Sequence, residues 1–271
     1  MWEQTKIPIK FQILGFIAQQ GVVSIEDINR HFYPERDNSK ALRVILYGMG
    51  LAHLRYSATK NGVWFIDKPK LYQLVSIWFP KLPLFKVRPP SLHLIAHYLE
   101  LNRIRTTFEH SHLITVDEWW SEHYIRALHP MIRSRFSDPK IPDAIFWRKR
   151  QDGTRQQLFL EYERTLKSRK RYQEIFRAYS KRQDVKDRNV LYLCRDAALA
   201  RKIERIEHRL ARIGLLDGAG YDFQFVALEN FYRSYSKAPK EVFKEEKVLA
   251  EAAPAAAAEG VEHGEKVSQC G

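Results

Sequence analysis

Three carboxylates lie close together in the stretch "KIPDAIFWRKRQDGTRQQLFLEYERT", residues 140–165. Apolar residues flank an Asp-Gly pair on both sides, which predicts two β-strands joined by a turn. Asp143 lies on the first strand, and Glu161 and Glu163 lie on the second. Residues two apart on a strand share a face, so the two glutamates point the same way. Because hard oxygen ligands suit Mg²⁺ or Mn²⁺, the stretch is a candidate metal site.

The register of this hairpin decides whether Asp143 joins the two glutamates. A two-residue turn at Asp152-Gly153 would pair Asp143 with Tyr162 and direct its side chain away from both. A loop of three or five residues, or a bulge, would pair Asp143 with Glu161 and align all three carboxylates. Aligned carboxylates repel one another unless a cation neutralises them or some are protonated. Spacing alone leaves both registers open, and also leaves open that the glutamates face solvent.

The charge of the chain favours a polyanion as partner. The formal net charge is +13, and from Lys240 onward four Lys and seven Glu give −3, so the remainder carries +16. Nucleic acid is the first candidate, because its phosphates neutralise such a surplus. An anionic membrane surface is less favoured, since no cationic amphipathic helix with a large exposed apolar face is evident.

The composition indicates a globular protein in a reducing, cytoplasmic setting. Hydrophobic residues make up 45% of the 271 and aromatic residues 13%, enough for one large domain or two small ones. The two cysteines, Cys194 and Cys270, are too few for a disulfide framework. No apolar run approaches the ~18 residues of a membrane span, and the first residues carry no signal-peptide segment.

Residues 1–78 show the pattern of three helices followed by a hairpin. The second helix opens with Ser24 and Asp27 in capping-box spacing, and Asn61-Gly62 marks the hairpin turn. This is the order of a winged helix-turn-helix domain, whose third helix enters the major groove of DNA while the hairpin contacts the backbone. A small helical domain that binds protein is the alternative. The residues predicted to contact DNA are Lys40, Arg43 and Tyr47 on the third helix and Lys60 beside the turn.

A second unit is predicted for residues 91–236, after a Pro-rich connection at 79–90. It starts with a helix, "SLHLIAHYLELNRIR", followed by a strand in "TTFEHSHLITV" and a helix in "DEWWSEHYIRAL". The order β-β-α-β-α-β then predicts an α/β fold with a mixed central sheet. Residues 237–271 are rich in Ala and Glu and predict a disordered tail.

A basic amphipathic helix follows the candidate hairpin. Residues 164–182 include eight basic residues and one acid. Such a surplus is self-repulsive unless an anion is bound, so it favours contact with phosphate, although a solvated helix face is also common. The apolar side predicted to pack on the sheet is Tyr172, Ile175, Phe176 and Tyr179. The residues predicted to contact DNA are Arg164, Arg169, Lys170, Arg177 and Lys181.

The pattern "IPDAIF", about a dozen residues, then "FLEYERT" and a basic helix with "AYSKR" resembles the replication-relaxation family. That family includes the MobC-type mobilisation relaxases of plasmids and integrative elements. The resemblance covers most of residues 5–230. It implies a winged helix followed by a domain like the PD-(D/E)XK nucleases. The implied activity is metal-dependent nicking of double-stranded DNA at a transfer or replication origin, alongside other mobilisation or replication proteins.

The resemblance also implies roles for individual residues. Asp143 matches the motif aspartate, Glu161 the second acid, and Glu122 an additional acid on the preceding helix, so these three are the implied ligands of Mg²⁺ or Mn²⁺. Glu163 occupies the place of the nuclease lysine, which orients the nucleophile and steadies developing charge. Lys167 or Lys149 can substitute for that lysine. The implied catalytic set is Asp143, Glu161, Glu163 and Lys167.

Two other functions remain open at this point. The first is a non-catalytic DNA-binding regulator on a nuclease-like scaffold. The second is a relaxase of the His-hydrophobic-His type, for which His110 and His112 would lie on one strand face, although Ser111 between them is not hydrophobic. His93 and His97, four residues apart on a helix, could also bind a metal, but helix packing is the favoured interpretation.

Overall fold

The computed structural model describes residues 7–83, 85, 91–111, 113–128, 140–149, 153–180, 189–216 and 222–235. These residues form a mixed α/β structure with two sheets. The predicted tail, residues 237–271, lies outside the described residues, as do Lys181 and His112. The strands are β1 (Val23–Ser24), β2 (Ala52–Leu54), β3 (Val63–Phe65), β4 (Thr115–Ser121), β5 (Ala144–Lys149), β6 (Arg155–Glu163), β7 (Asn189–Cys194) and β8 (Asp222–Ala227). The described helices are α1 (Ile9–Gln20), α2 (Ile25–Phe32), α3 (Ser39–Gly48), α4 (Pro69–Trp78), α5 (Leu92–Glu109), α6 (Glu122–Ala127), α7 (Arg169–Ser180), α8 (Ala197–Arg212) and α9 (Leu228–Tyr235).

The N-terminal unit contains α1 to α4 and an antiparallel sheet of strand order β1-β3-β2. Helix α2 begins with the predicted capping box. The Ser24 hydroxyl accepts from the Asp27 N–H at 3.0 Å, and the Asp27 carboxylate accepts from the Ser24 N–H at 2.9 Å. Helix α3 buries Leu42 and Leu46 against the core. Its opposite side is exposed and carries Lys40, Arg43, Val44 and Tyr47.

The second unit is built on a five-stranded mixed sheet of order β4-β5-β6-β7-β8. Strands β4, β5 and β6 are antiparallel neighbours, whereas β6, β7 and β8 are parallel. Helices α7 and α8 connect the parallel strands, as parallel neighbours require a long crossover. The mixed central sheet predicted from the sequence is confirmed.

Both faces of this sheet are covered by helices. Helices α7 and α8 pack on one face, where Phe159 and Tyr192 meet Tyr172 and Phe176. Helices α5 and α9 pack on the other face, where Phe108 of α5 lies between Phe146 of the sheet and Phe231 of α9, with ring centroids 4.9 and 4.8 Å away. The predicted apolar side of α7 is buried throughout: Tyr172, Ile175, Phe176 and Tyr179.

The β5–β6 hairpin has the longer of the two loops left open by the sequence. Lys149 pairs with Arg155 and Ala144 pairs with Leu160, so five residues lie between the strands. One residue before β5, the Asp143 N–H donates to the carbonyl of Leu160, the residue that also pairs with Ala144, at 3.1 Å. Asp143 therefore lies beside the end of β6 that carries Glu161.

The prediction was wrong for residues 106–109 and 117–121. Residues 106–109 were expected in a strand but continue helix α5, and His110 is the residue that caps its C-terminus. Thr106 is accommodated there because its hydroxyl donates to the Asn102 carbonyl at 3.0 Å within the helix. Residues 117–121 were expected in a helix but lie in β4, and the helix begins only at Glu122. The paired histidines of the His-hydrophobic-His hypothesis thus lose their strand, since His110 does not lie on one.

Helix α5 joins the two units. Asn102 donates from Nδ2 to the Val22 carbonyl at 2.8 Å, and His31 Nδ1 lies 2.8 Å from the Glu109 carboxylate. Arg105 holds the other Glu109 oxygen at 2.7 Å. Burial opposes ionisation of Glu109, but Arg105 and His31 outweigh it and lower its pKa to about 2. None of the helices described in the structure has the length and apolarity needed to cross a membrane.

Candidate functional site

Asp143 is fixed by the start of the β5–β6 pairing. Its backbone N–H is bonded to Leu160, and its carboxylate Oδ2 accepts the Tyr162 N–H at 2.7 Å. The residue is buried. Burial alone would favour the protonated acid, but the Lys140 ammonium and the His97 imidazole outweigh it and hold the pKa of Asp143 below its usual range. Asp143 is therefore a carboxylate at neutral pH.

His97 reaches Asp143 from helix α5. Its Nε2 lies 3.4 Å from the Asp143 Oδ1, and its ring stacks on Tyr162 with the centroids 5.5 Å apart. Burial lowers the pKa of His97. The contact with Asp143 and the charges of Glu122 and Glu161 raise it by more than this, so the net shift of the pKa is upward. The stacking and the ion pair together hold the imidazole against the carboxylate.

Glu122 completes a group of three side chains of types that can ligate a metal ion, and Arg126 Nε donates to its Oε1 at 2.9 Å. It is the first residue of α6, which Ser121 caps by accepting the Tyr124 N–H at 3.1 Å. The Glu122 N–H donates to the Asp143 carbonyl at 2.9 Å, which ties the two segments together. One ligand atom each of His97, Glu122 and Asp143 lie within 4.8 Å of one another. We call these three residues the triad.

Glu161 lies beside the triad but is neutralised by the protein. Its side chain is 1% exposed, Lys140 Nζ lies 2.9 Å from Oε2, and the Tyr179 hydroxyl donates to Oε1. Burial, and then the charge of Asp143, raise the pKa of Glu161 despite Lys140. Lys140 is itself largely buried, which lowers its pKa, but Glu161 and Asp143 outweigh this and raise it above its usual range. Lys140 is therefore an ammonium between two carboxylates.

Glu163 is in a separate, closed arrangement one pleat further along β6. Lys167 forms an ion pair with Oε1, and the Tyr172 hydroxyl donates to Oε2 at 2.9 Å. Burial lowers the pKa of Lys167, in the direction opposite to that of Lys140. We call Glu163, Lys167 and Tyr172 the Glu163 cluster. Both oxygens of Glu163 are used within it.

The structure brings together part of the ligand set implied by the sequence. Asp143 and Glu122 meet as expected, but the third member of the described group is His97 and not Glu161. From the sequence, His97 was a candidate only as half of a histidine pair, with helix packing favoured. Lys140 was not predicted, and its one signal was its place three residues before Asp143 in "KIPD".

The residues predicted to contact DNA form two exposed sets. On α3 and beside the β2–β3 turn, Lys40, Arg43, Tyr47 and Lys60 are all exposed. On the second unit, Arg164 follows β6 directly, and Arg169, Lys170 and Arg177 are exposed along α7. Exposed cations of this kind can pair with phosphate groups.

The arrangement can bind a divalent cation and place an ammonium beside it. Two carboxylates and an imidazole supply negative charge and three ligand atoms, and Lys140 supplies a fixed positive charge next to them. Comparisons of the chain with protein-family models, with curated proteins and with solved structures found no match.

Proposed function

We propose that this protein binds double-stranded DNA at an origin-type site of plasmid or mobile-element DNA and nicks it with a divalent metal ion. The observation that carries the proposal is the triad: three ligand atoms within 4.8 Å of one another, with Lys140 and Glu161 beside them. Metal-dependent phosphodiester cleavage needs this combination of a cation site and a nearby positive group.

The dimensions of the triad fit one small cation. Bonds of about 2.1 Å place the ligands of an octahedral ion roughly 3 to 4.2 Å apart. The triad atoms need only small movements to reach that spacing. The imidazole favours Mn²⁺ over Mg²⁺, because Mg²⁺ prefers oxygen ligands.

The ion would be held by His97, Glu122 and Asp143. It would polarise a phosphodiester and lower the pKa of a bound water. The protein's own contribution centres on Lys140. Its ammonium is held by Glu161 at 2.9 Å and stays protonated, so it can donate to a phosphate oxygen and stabilise the charge that develops there. This places Lys140, and not Lys167, in the role of the nuclease lysine.

The N-terminal unit supports the DNA-binding part of the proposal. Its element order, three helices with a hairpin and a sheet of order β1-β3-β2, agrees with a winged helix-turn-helix. The predicted recognition helix, α3, exposes Lys40, Arg43 and Tyr47. In the second unit, α5 is followed by three antiparallel strands with the short helix α6 between the first two, and then by α7 and the parallel strand β7. This order supports the resemblance to the PD-(D/E)XK domain.

The alternative is a DNA-binding accessory protein without catalysis. It is favoured by the Glu163 cluster, in which the residue at the lysine position is an acid with both oxygens occupied. The two functions differ in what they predict for the triad, because only the nicking protein requires it to bind metal.

The experiment uses supercoiled plasmid carrying the DNA that flanks the protein's own gene, incubated with the full chain and Mn²⁺. We expect conversion to the open-circular form, abolished by EDTA and by Asp143→Asn. Glu174→Gln is the matched control, because Glu174 is an exposed acid that pairs with Arg171 away from the triad. Binding of this DNA with no Mn²⁺-dependent nicking would establish the accessory function instead.

A further inference from the structure

We propose that the groove between α3 and the β2–β3 hairpin binds the base and phosphate of an unpaired nucleotide, so that the protein prefers DNA with a locally unpaired base. This inference rests on the proposed DNA binding, but it does not depend on catalysis at the triad. The groove encloses about 540 Å³, within the range of sites that hold a small organic group.

The groove combines aromatic rings with positive charge. Four of its lining residues carry rings, namely Tyr47, His53, Tyr56 and Trp64, and three are cations, namely Arg43, Arg55 and Lys60. None of the lining residues is an acid. Rings bind the faces of bases and cations bind phosphate, so the lining matches a nucleotide and not a phosphate alone.

The rings form a platform that is open to solvent. Trp64 is 1% exposed and forms the base of the platform. Tyr47 meets it edge-on with centroids 4.7 Å apart, and His53 lies against it at 4.6 Å. Tyr47 is 60% exposed. An exposed tyrosine ring held by a buried tryptophan provides a fixed surface for stacking.

The hairpin is held in place before any ligand arrives. Arg43 of α3 donates to the Asn61 side chain, and Asn61 donates in turn to Glu26 of α2 at 2.8 Å. His53 Nε2 lies 2.9 Å from the Asn61 carbonyl. The turn needs a glycine at 62, because its φ is +69° and a Cβ would lie 2.6 Å from the Leu54 carbonyl oxygen. A preorganised groove loses little entropy on binding.

An unpaired nucleotide fits this groove better than a paired one. In a duplex, both faces of each base are covered by its stacked neighbours, so a duplex offers phosphates and base edges but no free base face. Only a bulged, flipped or single-stranded nucleotide can stack on Tyr47 while its phosphate contacts Lys60 or Arg55. Locally opened DNA is therefore the ligand that uses the whole lining.

The test compares three DNA duplexes of equal length by fluorescence anisotropy, in EDTA and at fixed salt. One is fully paired, one has a single bulged nucleotide, and one has an abasic bulge. We expect the bulged duplex to bind about 10-fold more tightly than the other two, because stacking on one aromatic ring is worth roughly that factor. Equal affinity for the bulged and abasic duplexes would overturn the proposal, since it would show that only the backbone is bound.

Variants of Tyr47 separate stacking from charge. Tyr47→Ala should remove the preference for the bulged base, while Tyr47→Phe, which keeps the ring, should retain it. Lys60→Gln should weaken binding to all three duplexes by a similar factor. With 2-aminopurine as the bulged base, its fluorescence should change on binding to the wild type and to Tyr47→Phe but not to Tyr47→Ala. Retention of the preference by Tyr47→Ala would also overturn the proposal.

The outcome is independent of nicking. A protein that nicks paired DNA but shows no preference for the bulge overturns this inference alone. A protein that prefers the bulge but does not nick overturns the catalytic proposal alone. If none of the three duplexes binds, both proposals fail.

Discussion

The triad and the Glu163 cluster hold carboxylates from neighbouring segments of one sheet, yet they are neutralised in different ways. In the Glu163 cluster, Lys167 and the Tyr172 hydroxyl bond to both oxygens of a single carboxylate. In the triad, one ligand atom each of His97, Glu122 and Asp143 lies within 4.8 Å of the others, while Lys140 and His97 compensate Asp143 and Arg126 pairs with one oxygen of Glu122. The first arrangement is complete without a ligand. The second keeps ligand atoms of three residues close enough together for one cation.

The difference shows that proximity of carboxylates does not by itself make a metal site. The donors around each carboxylate decide whether its charge is already compensated. The resemblance made Glu163 a catalytic candidate, but both of its oxygens are bonded within its cluster, while Glu161, two residues earlier, pairs with Lys140.

The largest effect is expected for Asp143→Asn. Asparagine preserves the size of the side chain and can still accept the Tyr162 N–H, but it removes the central charge of the triad. We expect Mn²⁺ affinity to fall by about 100-fold and the nicking rate by roughly 10³-fold. Calorimetric titration with Mn²⁺ and the plasmid assay measure the two effects.

Asp117→Asn is the control for that change, because Asp117 pairs with Arg155 at 2.8 Å outside the triad. It should leave both quantities unchanged. Wild-type Mn²⁺ affinity in the Asp143→Asn protein would refute the triad as the metal site.

Lys140→Met should reduce nicking by about 10²-fold, because a single donor to a developing oxyanion is worth roughly that factor. Mn²⁺ binding should persist, because the substitution removes a positive charge beside the triad and leaves all three metal ligands in place. Lys167→Met is the matched variant on the other side of the comparison and should nick at close to the wild-type rate. If Lys167→Met is the slower of the two, the role assigned to Lys140 belongs to the Glu163 cluster.

Asp27 supplies a third kind of buried carboxylate, held mainly by hydrogen-bond donors, with the half-exposed Arg30 guanidinium 3.8 Å away. Burial raises its pKa to about 6, against the bonds from Ser24 and Asn102. Because the pKa is raised in the folded protein, the stability it confers is full below its unfolded value of 3.8 and is lost as the pH rises through 6. The wild type therefore loses this stability between pH 4 and pH 8, whereas Asp27→Asn does not. The free energy of unfolding of Asp27→Asn minus that of the wild type should rise by about 1–3 kcal/mol over this range.

Urea unfolding of both proteins at pH 4, 6 and 8 measures this gain. Asp37→Asn is the control, because Asp37 is exposed and its pKa is lowered by bonds from Ser39. A difference between Asp27→Asn and the wild type that is constant with pH would contradict the raised pKa.

The smallest effect is expected for Glu163→Gln. It removes the charge partner of Lys167 but keeps an oxygen that can accept from Tyr172, so we expect a loss of about 1 kcal/mol in the free energy of unfolding. The Lys167 side chain is 39% exposed, and water can take over its solvation. Mn²⁺ affinity should stay at the wild-type value. A loss of Mn²⁺ binding would place Glu163 in the metal site after all.

Much of the framework could be predicted from residues that act locally. The Ser24–Asp27 capping box and the buried side of α7 follow from spacing, because they depend on contacts within one element. The helix-to-strand boundary at residues 106–121 could not, because Phe108 is held in a helix by packing on the sheet, against the β-propensity of the threonines before it.

The sequence by itself determined that acidic residues fall on adjacent strands of a basic chain. Only the tertiary structure decided their roles. The register of β5 and β6 brought Asp143 onto Leu160 and Tyr162, and the packing of α5 brought in His97 from 46 positions earlier in the chain. Lys140 forms an ion pair with Glu161, and Lys167 forms one with Glu163. Spacing fixes which face of an element a side chain lies on, whereas its charge partners depend on register and on helices packed from elsewhere.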